Sequence, residues 1–455
     1  MSKKIFFVFL LFVLLLTVGA GCKKKTIDKA TDPIVLNYWR VFDGPDDFAE
    51  IIRMYNEQHP YITINYRKLR YEEYESELLN AFAEDRGPDI FSIHNTWMKK
   101  YESKISPAPE FTNMVFPVVQ GSIKKEVVAE SRSVRGLNLK ELKQNFVDAV
   151  YSDVVINNQI YGLPLSVDTL AMYYNQDLFD RAGIVDVPGY WNRDFQQTVK
   201  ELTKLDLKGN VIQSGVAMGG TSNIERYSDI LSVLMMQNGA TMLNDAGQVL
   251  FHTVPSSLRS SDYNPGLMAL RFYTDFANPI KEVYSWNNDL PSALTMFTSG
   301  NLAMMFGYSY HMPIIKTTAP KLNFMIAPLP QIEGSNVSTN FANYWVEVVS
   351  QKSEHKNEAW NFIQFMTSAE RVPSYLNKTK KPTALRSLVP SQREDLEIGV
   401  FVDQVLTAKS WYRGKGPVLM ENFFSEMIEA ALQDTENKIM EIMNLYASRI
   451  QQTIR

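Results

Sequence analysis

The chain has 455 residues, 46 Lys and Arg against 50 Asp and Glu, and a formal net charge of -4. It lacks the basic surplus that marks a nucleic-acid surface, so we expect no nucleic-acid partner. Its length allows two ordinary globular domains with substantial cores. Cys22 is the single cysteine, which excludes an internal disulfide and a thiolate metal site in the folded body.

The N-terminus has the pattern of an export signal. Lys3 and Lys4 precede the apolar run Ile5–Val18, and small residues lead to Cys22. This segment resembles the lipobox of bacterial lipoproteins, in which the cysteine thiol receives diacylglycerol before cleavage, although Gly19 stands where the motif prefers Leu or Val. One alternative is a plain signal followed by an incidental cysteine. A membrane span is disfavoured because spanning takes about 20 apolar residues.

Strands alternate with helices in the next part of the chain. Ile34–Val41 alternates apolar and polar residues, helical spacing follows Gly44-Pro45, and Tyr61–Tyr66 alternates again. A helix over Tyr71–Ala83 and a strand over Asp89–Ile93 continue this order. Strands separated by helices predict a parallel α/β sheet, with ligands bound beyond the carboxyl ends of its strands.

Two polar segments occupy such carboxyl ends. Asp43 follows the first strand and Asn95–Trp97 follows the third, which places both at the edge of a candidate cleft. Residues 105–150 are less regular, with one convincing helix over Leu137–Val150. Strands and helices then alternate again, and from His355 onward the chain is nearly all helical.

A run of short motifs carries a family resemblance. Gly162-Leu163-Pro164, Met172-Tyr173-Tyr174-Asn175, Asp177-Leu178-Phe179 and Ala182-Gly183 follow one another at the spacing of that family. The segment order resembles the extracellular solute-binding proteins of ABC importers, specifically the sugar-type group known as family 1. Further matches spread over almost the whole chain: Gly87-Pro88-Asp89-Ile90, Trp191, Leu202-Thr203, Phe297–Gly300, Ala303–Met305, Ala327–Pro330, Ala359-Trp360 and Thr367-Ser368.

The resemblance implies an α/β, two-lobed, periplasmic-binding-protein-like fold of type II, hinge-connected and here extended by a helical C-terminus. Solute would bind between the lobes, the hinge would close around it, and the closed form would dock on a membrane permease. Segments that cross between the lobes are expected near Asp168–Tyr174, residues 280–290 and residues 338–344. The protein would act as a monomer and without a cofactor.

These expectations divide the chain into five parts and give it an extracytoplasmic location, lipid-anchored to a bacterial membrane. In chain order we predict a lipoprotein signal peptide over residues 1–21, a lipidated tether over 22–33, an N-terminal lobe from 34–168 plus 286–338, and a C-terminal lobe from 169–285 plus 339–455.

Candidate ligand-binding residues are aromatic or polar side chains near the expected cleft. An aromatic ring suits a sugar because it offers an apolar face, and Tyr and Trp add a hydrogen-bonding edge. Core packing is the alternative for Trp39, capping of the next helix for Asp43, and fixing of the hinge for Asp168. The full set is Trp39, Asp43, Asn95, Trp97, Asp168, Trp286, Tyr308, Tyr310, Tyr344, Trp345 and Trp411.

Motifs of catalysis do not occur in the sequence. The histidines lack HExxH or comparable spacing, and there is neither a Gly-x-Ser-x-Gly elbow nor a phosphate loop. We therefore predict no catalytic residue and no metal site. The favoured function is capture of a small polar solute, a sugar or oligosaccharide, for an ABC importer. Two alternatives stay open: a secreted carbohydrate-active hydrolase with carboxylates distant in sequence, and a surface interaction protein that lacks ligand transport.

Overall fold

The computed structural model describes residues 32–122, 126–258, 263–434 and 438–454. The predicted signal peptide and Cys22 lie outside the described residues. Within these ranges no helix is both long enough and apolar enough to cross a membrane. The strands in chain order are β1 (Ile34–Val41), β2 (Ile62–Leu69), β3 (Ile90–His94), β4 (Ile105–Ser106), β5 (Phe111–Gln120), β6 (Glu126–Arg135), β7 (Val155–Ile156), β8 (Gln159–Ile160), β9 (Asp168–Thr169), β10 (Ala171–Asn175), β11 (Lys204–Leu205), β12 (Val211–Val216), β13 (Leu302–Gly307), β14 (Phe324–Ala327), β15 (Asn340–Asn343), β16 (Trp345–Ser350) and β17 (Ala408–Lys409).

Helices fill the connections between these strands and dominate the last part of the chain. In chain order they are α1 (Pro45–Gln58), α2 (Tyr71–Ala83), α3 (Met98–Tyr101), α4 (Leu139–Asn145), α5 (Asp148–Val154), α6 (Gln176–Ala182), α7 (Gln196–Leu202), α8 (Tyr227–Gln237), α9 (Pro265–Asp275), α10 (Ala293–Thr298), α11 (His311–Thr318), α12 (Lys356–Met366), α13 (Val372–Thr379), α14 (Val389–Gln392), α15 (Gly399–Gln404), α16 (Pro417–Leu432) and α17 (Ile439–Ile454).

Local sequence explains several helix boundaries. Helix α1 begins at Pro45, where a missing amide costs nothing, and the Asp47 carboxylate accepts the Gly44 amide at 2.7 Å. Helix α6 begins after Asn175, whose side chain accepts a backbone N–H of the first turn at 3.2 Å. It ends at Gly183, whose φ of 72° is left-handed and suits a residue without Cβ, as the sequence predicts.

The first sheet has the strand order β2-β1-β3-β16-β4. Strand β1 runs parallel to β2 and β3, so the carboxyl ends of these three strands share one edge. Strand β16 returns antiparallel to β3 and places Trp345 opposite His94 at the same edge. Helices α1, α2 and α12 pack against the sheet. This sheet and its helices form the first lobe.

The second sheet has the strand order β11-β12-β13-β10-β14. Strands β12 and β13 are parallel, whereas β10 runs antiparallel to both β13 and β14. Helices α7 and α10 pack on this sheet, and α8 and α9 pack against each other beside it. These elements form the second lobe, and the two-lobed α/β architecture predicted from the sequence is confirmed.

A three-stranded sheet of order β17-β15-β9 joins the lobes. Asp168 in β9 pairs with Asn343 in β15, and β17 runs parallel to β15. Two of the expected crossings are therefore present, and a third lies at β17. The crossing expected at residues 280–290 is wrong. Ser285 donates its hydroxyl to Val216 O at 3.2 Å, so that segment packs within the second lobe.

The strands divide the chain between the lobes differently from the prediction. Residues 286–338 were expected in the N-terminal lobe, but β13 and β14 within them hydrogen-bond to β10 in the second sheet. Residues 339–455 were expected in the C-terminal lobe, but β16 belongs to the first sheet. The reason is that sheet membership depends on hydrogen bonds between segments distant in the chain, which the order of elements does not reveal.

The predicted helical C-terminal region is present and is shared between the lobes. Helices α12 and α13 pack on β16 and α1 of the first lobe, whereas α16 packs on α8, α9 and α17 of the second. The irregular region predicted at residues 105–150 contains an antiparallel hairpin of β5 and β6, which pair from Phe111 opposite Arg135 to Gln120 opposite Glu126. The predicted helix over Leu137–Val150 is interrupted between α4 and α5.

Candidate functional site

An aromatic cluster occupies the edge of the first sheet where the carboxyl ends of the parallel strands meet. Trp345 lies at its centre, and each of the other rings approaches it edge to face. The ring centroids of Phe42, Tyr71, His94 and Trp97 lie 5.7, 6.3, 5.8 and 5.6 Å from that of Trp345. These five residues are called the aromatic cluster below.

The aromatic cluster contains both buried and solvent-exposed rings. Trp97 is 8% exposed and stacks on Tyr101 at 6.0 Å, so it supports its neighbours from below. Phe42 and Tyr71 stack on each other at 5.6 Å and are 53% and 52% exposed. Trp345 is half-buried between them. Open aromatic faces held by buried ones are suited to a flat, partly apolar ligand.

The second lobe presents charged side chains toward this cluster. Arg226 donates two hydrogen bonds of 2.9 Å to the Asp229 carboxylate, and Glu421 lies 3.7 Å from the same guanidinium. We call Arg226, Asp229 and Glu421 the charged wall. Burial and then the Glu421 carboxylate raise the pKa of Tyr71.

His94 is the member of the cluster closest to the hinge. Its ring contacts the Thr96 hydroxyl at 2.7 Å and the Asn343 side-chain oxygen at 3.2 Å. Burial, followed by the positive charge of Arg226, lowers the pKa of His94 to about 4. The imidazole is therefore neutral at neutral pH. Asn343 also donates to Asp229 at 3.5 Å, so one crossing residue links the cluster with the charged wall.

Tyr308 and Tyr310 follow strand β13 in the second lobe. The Tyr308 hydroxyl donates to Asp229 at 2.6 Å and is fully buried, so it supports the charged wall. Tyr310 is 37% exposed and donates to Glu225 at 2.9 Å. His311 accepts the Tyr308 amide at Nδ1, which leaves Nε2–H to donate to Glu225 at 3.2 Å. That hydrogen bond is the main reason that the pKa of Glu225 falls to about 2.

Asp43 belongs to a buried ionic network rather than to an open surface. Its carboxylate accepts from Arg40 at 3.0 Å and from Tyr375 at 2.9 Å, and it pairs with Lys381. Arg40 also pairs with the fully buried Glu347. Burial would raise the pKa of Asp43, but Arg40 and Lys381 outweigh it and lower that pKa. Gly44, not Asp43, is the N-cap of α1, so the capping alternative for Asp43 is wrong, and its role in ligand binding stays a prediction.

Asp168 fixes the first crossing to the loop after β13. Its carboxylate accepts the Ser309 amide at 2.9 Å, the Ser309 hydroxyl at 2.6 Å and the Thr169 amide at 2.9 Å. Burial raises the pKa of Asp168 to about 6 despite these hydrogen bonds. Of the two roles considered from the sequence, the contacts shown are those of hinge fixation.

Three predicted tryptophans lie in packed interiors, which corrects their assignment as ligand residues. Trp286 is fully buried and donates its N–H to Asn223 at 2.8 Å. Trp411 is 4% exposed and donates to Ser232 at 3.0 Å. Trp39 is 7% exposed and lies beneath an arginine guanidinium at 4.7 Å, so its core alternative is the correct one. The indole N–H groups of Trp286 and Trp411 already donate hydrogen bonds, and both rings are buried, so neither has a free face on which a solute could stack.

Asn95 and Tyr344 also act inside the first lobe rather than in the cleft. Asn95 donates its side-chain amide to Asp153 at 3.0 Å, and the Tyr344 hydroxyl donates to the same carboxylate at 2.7 Å. Both residues are buried. They hold the turn after β3 and the start of β16 together, which positions Trp97 and Trp345.

Phe42 and Tyr71 were not selected from the sequence, although the rule that ligands bind beyond the carboxyl ends of parallel strands would have selected both. Phe42 directly follows β1, and Tyr71 follows the carboxyl end of β2, the same position relative to a strand that selected Asn95–Trp97. Arg226 and Glu421 carried no comparable signal, because they reach the cleft from helix termini distant in sequence. Among the described residues no group of three or more His, Cys, Asp and Glu side chains is arranged to hold a metal.

Comparison with known proteins agrees with this architecture. The family model described as bacterial extracellular solute-binding protein matches residues 43–372. A multiple sugar-binding protein of Streptococcus mutans is 24% identical over 264 residues, covering 57% of this chain and 58% of that protein. An arabinooligosaccharide-binding protein of Bacillus subtilis is 22% identical over 388 residues, covering 81% and 77%.

A solved structure extends the comparison to the whole fold. The cyclic α-maltosyl-1,6-maltose binding protein of Arthrobacter globiformis matches with a TM-score of 0.69 at 16% identity, covering 92% of this chain and 99% of the other. The likeness confirms the two-lobed fold. The family consists of binding proteins, which confirms the expectation that the chain is not an enzyme. With a family match that spans more than half of its length, the chain belongs to the bacterial extracellular solute-binding proteins.

Proposed function

We propose that this protein is a lipid-anchored receptor that captures a neutral sugar or oligosaccharide between its lobes and delivers it to the permease of an ABC importer. The observation that carries the proposal is the aromatic cluster around Trp345, which Asn343 of the hinge strand β15 connects to the charged wall. Stacking faces opposite hydrogen-bonding groups match the two surfaces of a sugar ring. The names of relatives that bind sugars support the same class of solute.

Charge pairing favours a neutral solute over an ionic one. Arg226 is satisfied by Asp229, Lys381 by Asp43, and Glu225 by His311. An anionic solute would have to compete with these internal carboxylates for the cations. A sugar hydroxyl can instead donate to a carboxylate oxygen that already accepts from an arginine, because each oxygen has more than one lone pair. Phe42, Tyr71, Trp345 and Tyr310 are the proposed stacking residues.

Hinge closure is the proposed means of capture. The lobes are joined through β9, β15 and β17, which are short strands next to the cleft. A solute shifts the open–closed equilibrium only by the extra contacts that it makes in the closed form. Contacts on both the aromatic cluster and the charged wall would provide that difference. The closed form would then be the one recognised by the permease.

Anchoring through Cys22 is proposed from the sequence alone. A diacylglycerol on Cys22, followed by the tether of residues 22–33, would keep a monomeric receptor near its permease without restricting the hinge. The extracellular family fits export across the membrane.

Calorimetric titration of the purified lipoprotein in detergent tests the solute class. Neutral malto-, arabino- and galacto-oligosaccharides are compared with an oligogalacturonate and a dipeptide. We expect saturable binding of a neutral sugar that Trp345→Ala weakens. Binding of only the uronate or the dipeptide would contradict the proposal, and so would release of a cleaved product from a bound oligosaccharide. Loss of uptake of the same sugar on deletion of the protein tests delivery.

A further inference from the structure

The outer end of the β5–β6 hairpin carries an uncovered apolar face. The last two outward-facing pairs of the ribbon are Pro117 opposite Ala129 and Val119 opposite Val127. Val119 is 59% exposed and Val127 64% exposed. Single exposed valines are common on protein surfaces, but here two successive apolar cross-strand pairs lie together without a charged residue. We call these four residues the hairpin face.

The opposite side of the same ribbon is docked on the first lobe. Met114 is fully buried, and Phe116 contacts the His59 ring at 4.9 Å. Because successive side chains of a strand alternate between faces, this docking directs the hairpin face away from the protein. The exposure of the valines therefore follows from how the inner half of the hairpin is held.

The hairpin stands beside the point where the chain enters the first lobe. The Ile34 amide donates to the Tyr61 carbonyl at 2.8 Å, and the Tyr61 hydroxyl accepts the Val115 amide at 3.0 Å. Ile34 is the amino end of β1, so this part of the lobe lies at the opposite end of the sheet from the aromatic cluster. A tether that precedes Ile34 thus leaves the lobe next to the hairpin.

We infer that the hairpin face rests on the lipid surface that holds the anchor, an inference that depends on the proposed lipidation of Cys22. The roughly 12 residues from Cys22 to Ile34 reach at most about 40 Å. The hairpin extends about 17 Å from Val115 to Gln120, well within that reach.

The size of the face favours a lipid surface over a protein partner. Two small cross-strand pairs fall far below the roughly 800 Å² per partner of a stable protein interface. A lipid anchor, however, supplies a high local concentration, so even a weak contact is populated. With this end on the bilayer, the cleft at the other end of β1 opens outward, where solute arrives. A weak contact also releases readily when the receptor turns to its permease.

The single cysteine of the chain provides a direct test. Once lipidated, Cys22 carries no free thiol, so Val127→Cys in the full-length lipoprotein can be labelled alone with an environment-sensitive fluorophore. The protein is reconstituted into phosphatidylcholine–phosphatidylglycerol vesicles that contain a spin-labelled quenching lipid. Val185→Cys, at a 91% exposed valine of the second lobe, is the matched control. We expect quenching at residue 127 several-fold above that at residue 185, and its loss on adding Val119→Asp.

Three outcomes would overturn the inference, and they are distinguishable. Equal quenching at residues 127 and 185 in protein retained on vesicles would remove the membrane contact and leave anchoring intact. Failure of the lipoprotein to remain on vesicles would remove the anchor and the inference together. Shielding of residue 127 without vesicles, increasing with protein concentration, would assign the face to a second copy of the chain. Unchanged sugar affinity of each labelled variant verifies that it is folded.

Discussion

The indole rings of Trp97 and Trp345 meet at 5.6 Å with an angle of 66° between their planes. Trp97 belongs to the turn after β3, and Trp345 begins β16 on the neighbouring strand. Sheet register therefore brings together two residues from distant parts of the chain. Because Trp97 is buried beneath it, Trp345 presents its open face in a fixed orientation, which reduces the entropy lost when a ligand stacks on it.

Replacing Trp345 should weaken sugar binding more than it affects folding. Trp345→Ala removes a half-buried stacking ring, and we expect Kd to rise about tenfold or more, equivalent to about 1.4 kcal/mol. Trp97→Ala should instead lower the free energy of unfolding by about 3 kcal/mol, because it empties a buried site. Calorimetry and urea denaturation measure the two quantities. A folded Trp345→Ala protein with unaltered Kd would disprove the proposed site.

Trp411→Phe is the control for this comparison. The substitution keeps a ring in the interior of the second lobe but removes the N–H that bonds to Ser232 and part of the buried ring volume. We expect a loss of about 1–3 kcal/mol in unfolding free energy and no change in Kd.

Phe42 combines a strained backbone with an exposed ring. Its φ of 64° lies in the left-handed region, which costs a side-chain-bearing residue about 1 kcal/mol more than glycine. Phe42→Gly and Phe42→Ala both delete the ring, so both should weaken sugar binding to a similar extent. Because only glycine relieves the strain, the Gly variant should be more stable than the Ala variant by about 1 kcal/mol. Equal denaturation midpoints would show that the backbone is unstrained.

Much of the fold was accessible from the sequence because local patterns determine it. Alternation in β1 and β2, the asparagine and glycine that bound α6, and the motif at residues 162–183 all depend on near neighbours. The division into lobes was not accessible, since β13 joins β10 and β16 joins β3 through hydrogen bonds between remote segments. The β5–β6 hairpin was not predicted because its outer half does not pack on the rest of the protein. Its sequence therefore lacks the alternation of apolar and polar residues that marks a half-buried strand.

The candidate site was predictable only on the side of the first lobe. There the carboxyl ends of parallel strands mark the edge of the cleft, and Trp97 follows one of them. Choosing tryptophans as candidate ligand-binding residues gave two wrong candidates. Trp286 and Trp411 instead fill the core of the second lobe, as large apolar rings usually do. Arg226 precedes α8 and Glu421 lies in α16, and only the folded chain brings them within 3.7 Å.

Asp153 ties the first lobe to the third crossing. Its carboxylate accepts from Asn95 at 3.0 Å, Tyr344 at 2.7 Å and Arg413 at 3.3 Å, and also from Ser410. Asp153→Asn turns one acceptor oxygen into a donor that faces other donors. We expect the free energy of unfolding to fall by about 1–3 kcal/mol, measured by urea denaturation.

Asp148→Asn serves as the control for this hinge substitution. The Asp148 carboxylate is 65% exposed and pairs with Arg386, so its replacement should change stability by less than about 1 kcal/mol. If the two variants were equally stable, the buried junction at Asp153 would contribute nothing particular to the fold.

His94 should make the protein lose stability in mild acid. Burial lowers its pKa to about 4, below the ordinary value near 6.5. A depressed pKa contributes stability that is present above pH 6.5 and is lost as the pH falls toward 4, by up to about 3 kcal/mol. The difference in unfolding free energy between wild type and His94→Gln should therefore shrink from pH 7 to pH 4. A difference independent of pH would contradict a buried neutral imidazole.

Asp168 should make the protein lose stability as the pH rises, over almost the same pH range in which His94 makes it lose stability as the pH falls. Burial raises its pKa to about 6, so it contributes stability that is complete below pH 4 and is lost as the pH rises through 6. Asp168→Asn keeps an acceptor for Ser309 and removes the titration. The difference in unfolding free energy between wild type and this variant should therefore decrease from pH 4 to pH 7. Because the slopes due to His94 and Asp168 oppose each other, wild type alone should show a flatter profile than either variant. Two variant profiles of the same sign would contradict the assignment of at least one of these groups.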